Sequence, residues 1–123
     1  MTFSDLGLSD ELSRAVAALG YESPTPIQEK SIPIVLMGRD ILGSAQTGTG
    51  KTASFTLPMI EILATGRAKA RLPRSLILAP TRELAAQVAE SFEKFSTHHK
   101  LSMALLIGGV SFVDQNAALS KGV

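Results

Sequence analysis

The chain has 123 residues, 45% hydrophobic and 19% charged, with no cysteine and a formal net charge of +1. Such a composition fits one globular domain around a single core, and it excludes a disordered chain, a disulfide framework and a thiolate metal site. The near-zero net charge is uninformative about nucleic acid, because a local basic stripe can hide within it. The first residues lack the basic and apolar runs of a secretory signal, and no apolar run approaches the roughly 20 residues that cross a bilayer. A cytoplasmic protein without membrane contact is expected.

In chain order, Leu12, Ala15, Val16 and Leu19 fall at i, i+3, i+4 and i+7. This spacing predicts a helix over 9–19, capped by Ser9 and ended by Gly20 in the left-handed conformation. A second helix should begin at Thr25. Pro26 takes its first position, and Gln28 takes the third, where the amide can return to the Thr25 N–H in a capping box. Pro33 should end or kink this helix, or head a short turn running to Gly38.

Residues 41–52 read as a buried strand, a glycine-rich turn and the start of a helix. The loop Ala45-Gln46-Thr47-Gly48-Thr49-Gly50-Lys51-Thr52 can wrap backbone N–H groups around a phosphate chain, because glycine permits the φ > 0 turns of such a nest. The helix that follows points its positive end at the same phosphates. Lys51 can reach the β and γ phosphates, and the Thr52 hydroxyl can ligate Mg²⁺. Ala45 stands where the general pattern has its first glycine. The plainer alternative is an ordinary strand-to-helix turn.

Helix 53–64 should place Phe55, Met59, Ile62 and Leu63 on one side and bend at Pro58. Residues 65–74, with Arg67, Lys69, Arg71 and Arg74, read as a solvated loop, since no aromatic residue is interleaved to stack on bases. The apolar run 75–79, bounded by Pro80, has the pattern of a strand covered on both faces. From Thr81 the period changes, and Leu84, Ala85, Val88, Phe92 and Phe95 mark a helix that exposes Arg82, Glu83, Glu90 and Lys94. His98 and His99 lack ligand partners at suitable spacing and read as exposed helix-end residues. A third strand at 103–107 ends at Gly108-Gly109, and 111–119 is predicted helical.

Strands alternating with helices predict an α/β fold, a parallel sheet flanked by helices and built from three strand-helix units. Ligands of such sheets bind outside the carboxyl ends of the strands. The turns at 45–52, 80–83 and 108–109 all fall at those ends.

These segments resemble, in the same order, the DEAD-box ATP-dependent RNA helicases. Phe3 lies 17 positions before Gly20, and Gly20-Tyr21-x-x-Pro24-Thr25-Pro26-Ile27-Gln28 is similar to that family's Q motif. The loop from Ala45 to Thr52 resembles its Walker A loop, where alanine at the first position is usual. Pro80-Thr81-Arg82-Glu83-Leu84-Ala85 is similar to motif Ia, and Gly108-Gly109 to the glycine doublet.

The resemblance implies a RecA-like P-loop NTPase domain with ATP and Mg²⁺ as cofactors. Residues 1–38 would form a Q-motif helical region, and 39–123 the amino-terminal part of the RecA-like domain. Phe3, Tyr21, Thr25, Gln28 and the eight loop residues would bind the nucleotide. Lys51 and Thr52 would serve catalysis, with Thr52 also on the metal. Pro80, Thr81, Arg82, Gly108 and Gly109 would touch the sugar-phosphate backbone of single-stranded or structured RNA. The Gln28 amide offers acceptor and donors suited to adenine N6 and N7, and Phe3 could stack on the base. Plainer roles are a capping box for Gln28, a hydrophobic anchor for Phe3, a helix cap for Thr81, a solvated side chain for Arg82 and a φ > 0 loop for the doublet.

The family's Asp-Glu-Ala-Asp and Ser-Ala-Thr stretches, and the second domain whose arginines complete the site, are not in this sequence. Glu83 and Asp114 are conceivable bases, but nothing in the sequence aims them at a γ-phosphate. The expectation is the amino-terminal part of a longer helicase, inactive alone, with the remainder of the helicase core as its missing partner. Strand 41–44 would then lack its sheet neighbours and leave an unpaired apolar edge. Two other readings compete: a non-catalytic RNA- or protein-binding module derived from a helicase, and a different P-loop enzyme. The Gln28 segment argues against the latter, since a general phosphate loop needs no base-reading element.

Overall fold

A computed structural model describes residues 1–65, 72–109 and 111–123. Its helices are α1 (Asp10–Ala18), α2 (Pro26–Leu36), α3 (Lys51–Thr65), α4 (Arg82–Phe95) and α5 (Phe112–Lys121), preceded by a 3₁₀ turn at Ser4–Leu6. Side-chain caps set several of the starts. Ser9 Oγ accepts from the Leu12 N–H at 3.4 Å, and Thr81 Oγ1 accepts from the Leu84 N–H at 3.1 Å. Each bond satisfies one of the N–H groups that a helix leaves unpaired in its first turn.

In the capping box of α2 the Thr25 N–H donates to Gln28 Oε1 at 2.9 Å, and the Thr25 side chain faces the Gln28 backbone. Pro33 does not end α2, which runs on to Leu36. The proline lies in the last turn, so the single bond it removes costs little of the helix. The 3₁₀ turn is held by Thr2, whose N–H donates to Asp5 Oδ2 at 2.7 Å. That backbone bond, helped by the Thr2 side chain, holds the Asp5 carboxyl below its ordinary value.

The core forms where the 3₁₀ turn, α1, α2, α3 and α4 converge. Leu12, Ile32, Leu57 and Ile60 are fully buried there, closed over by Phe3, Leu6, Phe92 and Phe95. Full burial of one such aliphatic side chain is worth about 1.5–3 kcal/mol. A polar tie adds to the packing: the Ser9 N–H donates to Glu61 Oε1 at 2.5 Å, fastening the start of α1 to α3.

Helix 53–64 forms within α3, where Ala53, Ser54, Thr56, Leu57, Pro58 and Ile60 are buried, Ile62 is exposed and Phe55, Met59 and Leu63 are half-buried. The helix is apolar nearly all round, so its own periodicity does not select the face that α2 and α4 cover. Two expectations change. Leu19 is exposed, because it is the C-cap of α1 and has left the helical face. No strand exists among the described residues, so 41–44, 75–79 and 103–107 are not paired into the expected sheet. A strand is completed only by neighbours that accept its backbone bonds.

Leu42, Leu76 and Leu78 are exposed along those stretches. An open apolar groove of about 370 Å³ lies between the stretch from Ser75 to Leu78, the stretch from Lys100 to Leu106, and side chains of α3 and α4 including Met59, Leu63, Val88 and Phe92. Arg67, Lys69 and Arg71 of the basic loop lie outside the described residues, whereas Arg74 Nη1 donates to the Leu63 carbonyl at 2.9 Å near the end of α3. Among the described residues no helix is long and apolar enough to cross a membrane.

Candidate functional site

The glycine-rich loop takes its shape from two residues with positive φ, Gly48 at 84° and Gly50 at 87°. The Thr49 hydroxyl donates to the Gln46 carbonyl at 2.5 Å and tightens the turn between them. Helix α3 then opens with Lys51, its first intrahelical bond running from the Ser54 N–H to the Gly50 carbonyl at 3.1 Å. Lys51 is exposed at this lip, Thr52 is half-buried behind it, and Ala45, Gln46 and Thr47 form the outer approach. The first N–H groups of a helix lack intrahelical acceptors, and the helix dipole favours negative charge beside them.

Behind the loop stands Gln28. Its Oε1 accepts from the Thr25 N–H, and its Nε2 donates to the Gly50 carbonyl at 3.2 Å. One side chain thus bonds the start of α2 to the residue preceding Lys51. The fit leaves no room at Gly50: a Cβ there would lie 2.2 Å from Gln28 Nε2 and 3.3 Å from Thr25 Oγ1. Glycine is required at this position twice over, by its φ and by this approach. Gln28 is 1% exposed in this arrangement, with one N–H and one lone pair of its amide not used by these two bonds.

The two aromatic candidates are placed differently. Phe3 is 5% exposed and belongs to the core, so it anchors the amino-terminal segment. Tyr21 is half exposed and tilts against Phe95 of α4, with ring centroids 5.9 Å apart.

A second cluster joins the start of α4 to the glycine doublet. Pro80, Thr81 and Arg82 are exposed, and Arg82 Nη1 donates to the Gly108 carbonyl at 3.3 Å. Gly109 has φ of 80°, and a Cβ there would stand 2.9 Å from the same Nη1. Motifs 26 residues apart in sequence therefore meet. Glu83 and Asp114 are both exposed. His98 is exposed and His99 half-buried, and no group of three or more potential metal ligands exists among the described residues. Sequence reasoning missed Glu61 and Gln115, since a lone acid or amide on a helix has no spacing signature until its distant partner is known.

A glycine-rich loop running into a helix N-terminus, with lysine at its lip, is the arrangement that binds phosphate groups. The chain belongs to the DEAD/DEAH box helicase family, whose model matches residues 25–123. It is 51% identical over 120 residues to an ATP-dependent rRNA helicase, rrp-3, of Neurospora crassa, covering 98% of this chain and 23% of that protein. With the rrp3 helicase of Aspergillus terreus it shares 50% identity over 120 residues, covering 98% of this chain and 26% of the relative.

Solved structures agree. A DEAD box protein from the hyperthermophile Methanococcus jannaschii matches 97% of this chain and 32% of its own at 41% identity, with a TM-score of 0.87. The RNA-helicase Prp28 from Chaetomium thermophilum, bound to ADP, matches 98% and 30% at 40% identity, with a TM-score of 0.89. The chain therefore spans about a quarter of the length of the curated relatives it matches.

Proposed function

We propose that this chain is the nucleotide-binding part of an ATP-dependent RNA helicase, and that its own residues hold ATP and one RNA strand. The observation that carries the reading is the Gln28–Gly50 contact, which ties a base-reading amide to the phosphate loop through one side chain. Gln28 is 1% exposed, so it reaches adenine only if the segment covering its amide moves aside, and its remaining donor and acceptor then suit N7 and N6. Guanine, with O6 in place of the amine, leaves that amide mispaired.

The loop suits a nucleotide triphosphate, because Gly48 and Gly50 permit the nest and Lys51 is exposed at its lip. Residues from Ala45 to Thr52 cradle the phosphates, Lys51 reaches the β and γ groups, and the Thr52 hydroxyl serves Mg²⁺. Bound Mg²⁺ supplies neutralisation of the phosphate charge. Thr25 and Tyr21 flank the base. Phe3 can stack on it only if the Ser4–Leu6 turn opens, given its burial.

Pro80, Thr81, Arg82, Gly108 and Gly109 meet the RNA sugar-phosphate backbone, a reading supported by the exposure of Arg82 and its bond to the doublet. Contacts of this kind position a strand without selecting its sequence. In the whole protein, stretches 41–44, 75–79 and 103–107 become parallel strands of a RecA-like sheet, residues 1–38 its Q-motif region and 39–123 the start of its RecA-like domain. Hydrolysis and strand separation draw on the rest of the helicase core. The test is a titration of the full-length protein with a fluorescent adenine nucleotide, with and without RNA. Lys51→Ala should abolish binding, and RNA should stimulate ATP turnover by the unmutated protein. Binding that ignores Lys51→Ala, or turnover indifferent to RNA, overturns the reading in favour of a non-catalytic module.

A further inference from the structure

The glycine doublet is gripped from two directions. From α4, Arg82 Nη1 bonds the Gly108 carbonyl. From α5, Gln115 Oε1 accepts from the Ile107 N–H at 3.1 Å while its Nε2 donates to the Ser111 carbonyl at 3.3 Å. Ile107 is the residue before the doublet, and Ser111 is the N-cap of α5, its Oγ accepting from the Val113 N–H at 3.2 Å. A single neutral amide thereby spans the loop and joins its two ends, while the cation across from it holds the middle.

We propose that Gln115 is a positioning residue for the RNA strand. It fixes the spacing between Ile107 and Ser111, and with it the way Gly108 and Gly109 present their backbone to a phosphate. The proposal rests on the RNA reading of residues 80–82 and 108–109. Its physical signature separates it from a direct contact. Each phosphate neutralised by a cation contributes about 0.7 to the slope of log affinity against log salt for a single strand. A neutral amide acting through the loop contributes nothing to that slope. Its loss should weaken RNA binding by the same factor at every salt concentration.

The experiment uses the full-length protein, a short fluorescein-labelled oligouridine and a saturating non-hydrolysable ATP analogue. Gln115→Met keeps the length and shape of the side chain and removes its bonds to Ile107 and Ser111. It should raise the RNA Kd about three- to tenfold, the loss of one or two modest hydrogen bonds. The salt slope and the Kd for the ATP analogue should stay unchanged. Arg82→Ala should weaken RNA binding and flatten the slope by about 0.7. Because both side chains act on one loop, the double variant should lose less than the product of the single losses.

An unchanged RNA Kd in Gln115→Met, with Arg82→Ala still weakened, overturns the positioning role and leaves the RNA site standing. An unchanged Kd in both variants overturns the site and the inference together. A flattened slope in Gln115→Met makes the residue part of a charge contact and overturns positioning, as does a parallel loss of ATP-analogue binding. Where Gln115→Met melts early, Gln115→Glu retains the acceptor for the Ile107 N–H. It should recover RNA binding at high salt, and failure to do so counts against the proposal.

Discussion

The helical layer of α1 to α4 and the stretches 41–44, 75–79 and 103–107 are both apolar in sequence, yet Leu12, Ile32 and Leu57 are 0% exposed while Leu42 and Leu78 are 99% and 86% exposed. A helix satisfies its own backbone and needs only a partner face, which α2, α3 and α4 supply to one another. An extended segment needs neighbours for every backbone group as well as for its side chains. The same residue types are therefore a completed core in one region and an open face in the other. The groove of about 370 Å³ beside α3 and α4 marks the boundary between them.

Substitutions can break or sharpen this contrast. Leu57→Ala removes a side chain at the centre of the completed region and should cost about 2–5 kcal/mol in denaturant unfolding. Gly50→Ala comes next. A left-handed non-glycine residue costs about 1–3 kcal/mol, and here its Cβ also drives into Gln28. Its nucleotide affinity, measured with a fluorescent analogue, should fall about tenfold or more, since the carbonyl that Gln28 holds must move.

Thr56→Val should do the opposite. Thr56 Oγ1 is buried without a hydrogen-bond partner, so exchanging the hydroxyl for a methyl should raise the melting stability by about 1 kcal/mol. Smallest of all, Leu78→Ala should change the stability of this chain by less than about 0.5 kcal/mol, because the side chain is already in solvent. A cost at Leu78 equal to that at Leu57 would erase the distinction between the two regions.

The sequence made the completed region readable where signals were local. Ser9, Thr25 with Gln28, and Thr81 mark the helix starts, and all three helices form there. It found α3 but not its most buried face, because an all-round apolar helix carries no directional pattern, and it allowed α2 to end early because Pro33 reads as a breaker from local rules alone. Stretches 41–44, 75–79 and 103–107 read as strands from their apolar runs and are not strands in the structure, because pairing is a property of neighbours and is not carried by the runs themselves. Motifs singled out Gln28, the glycine-rich loop, Arg82 and the glycine doublet as candidates, and the structure brings Gln28 against that loop and Arg82 against the doublet. What no local signal could convey is that Gln28 bonds Gly50, that Glu61 caps the start of α1, and that Arg82 and Gln115 hold one loop between them. Each of these contacts depends on how the chain folds back on itself.

The central claim is that one amide joins base recognition to phosphate binding. It is tested most directly by the affinities of fluorescent ATP and GTP analogues for the full-length protein, with Gln28 intact and as Gln28→Ala. The account predicts a preference for ATP in the intact protein, and a collapse of the ATP-to-GTP ratio toward one in the variant. An unchanged ratio in Gln28→Ala would contradict it, leaving Gln28 as a capping residue and the phosphate loop without its reader of the base.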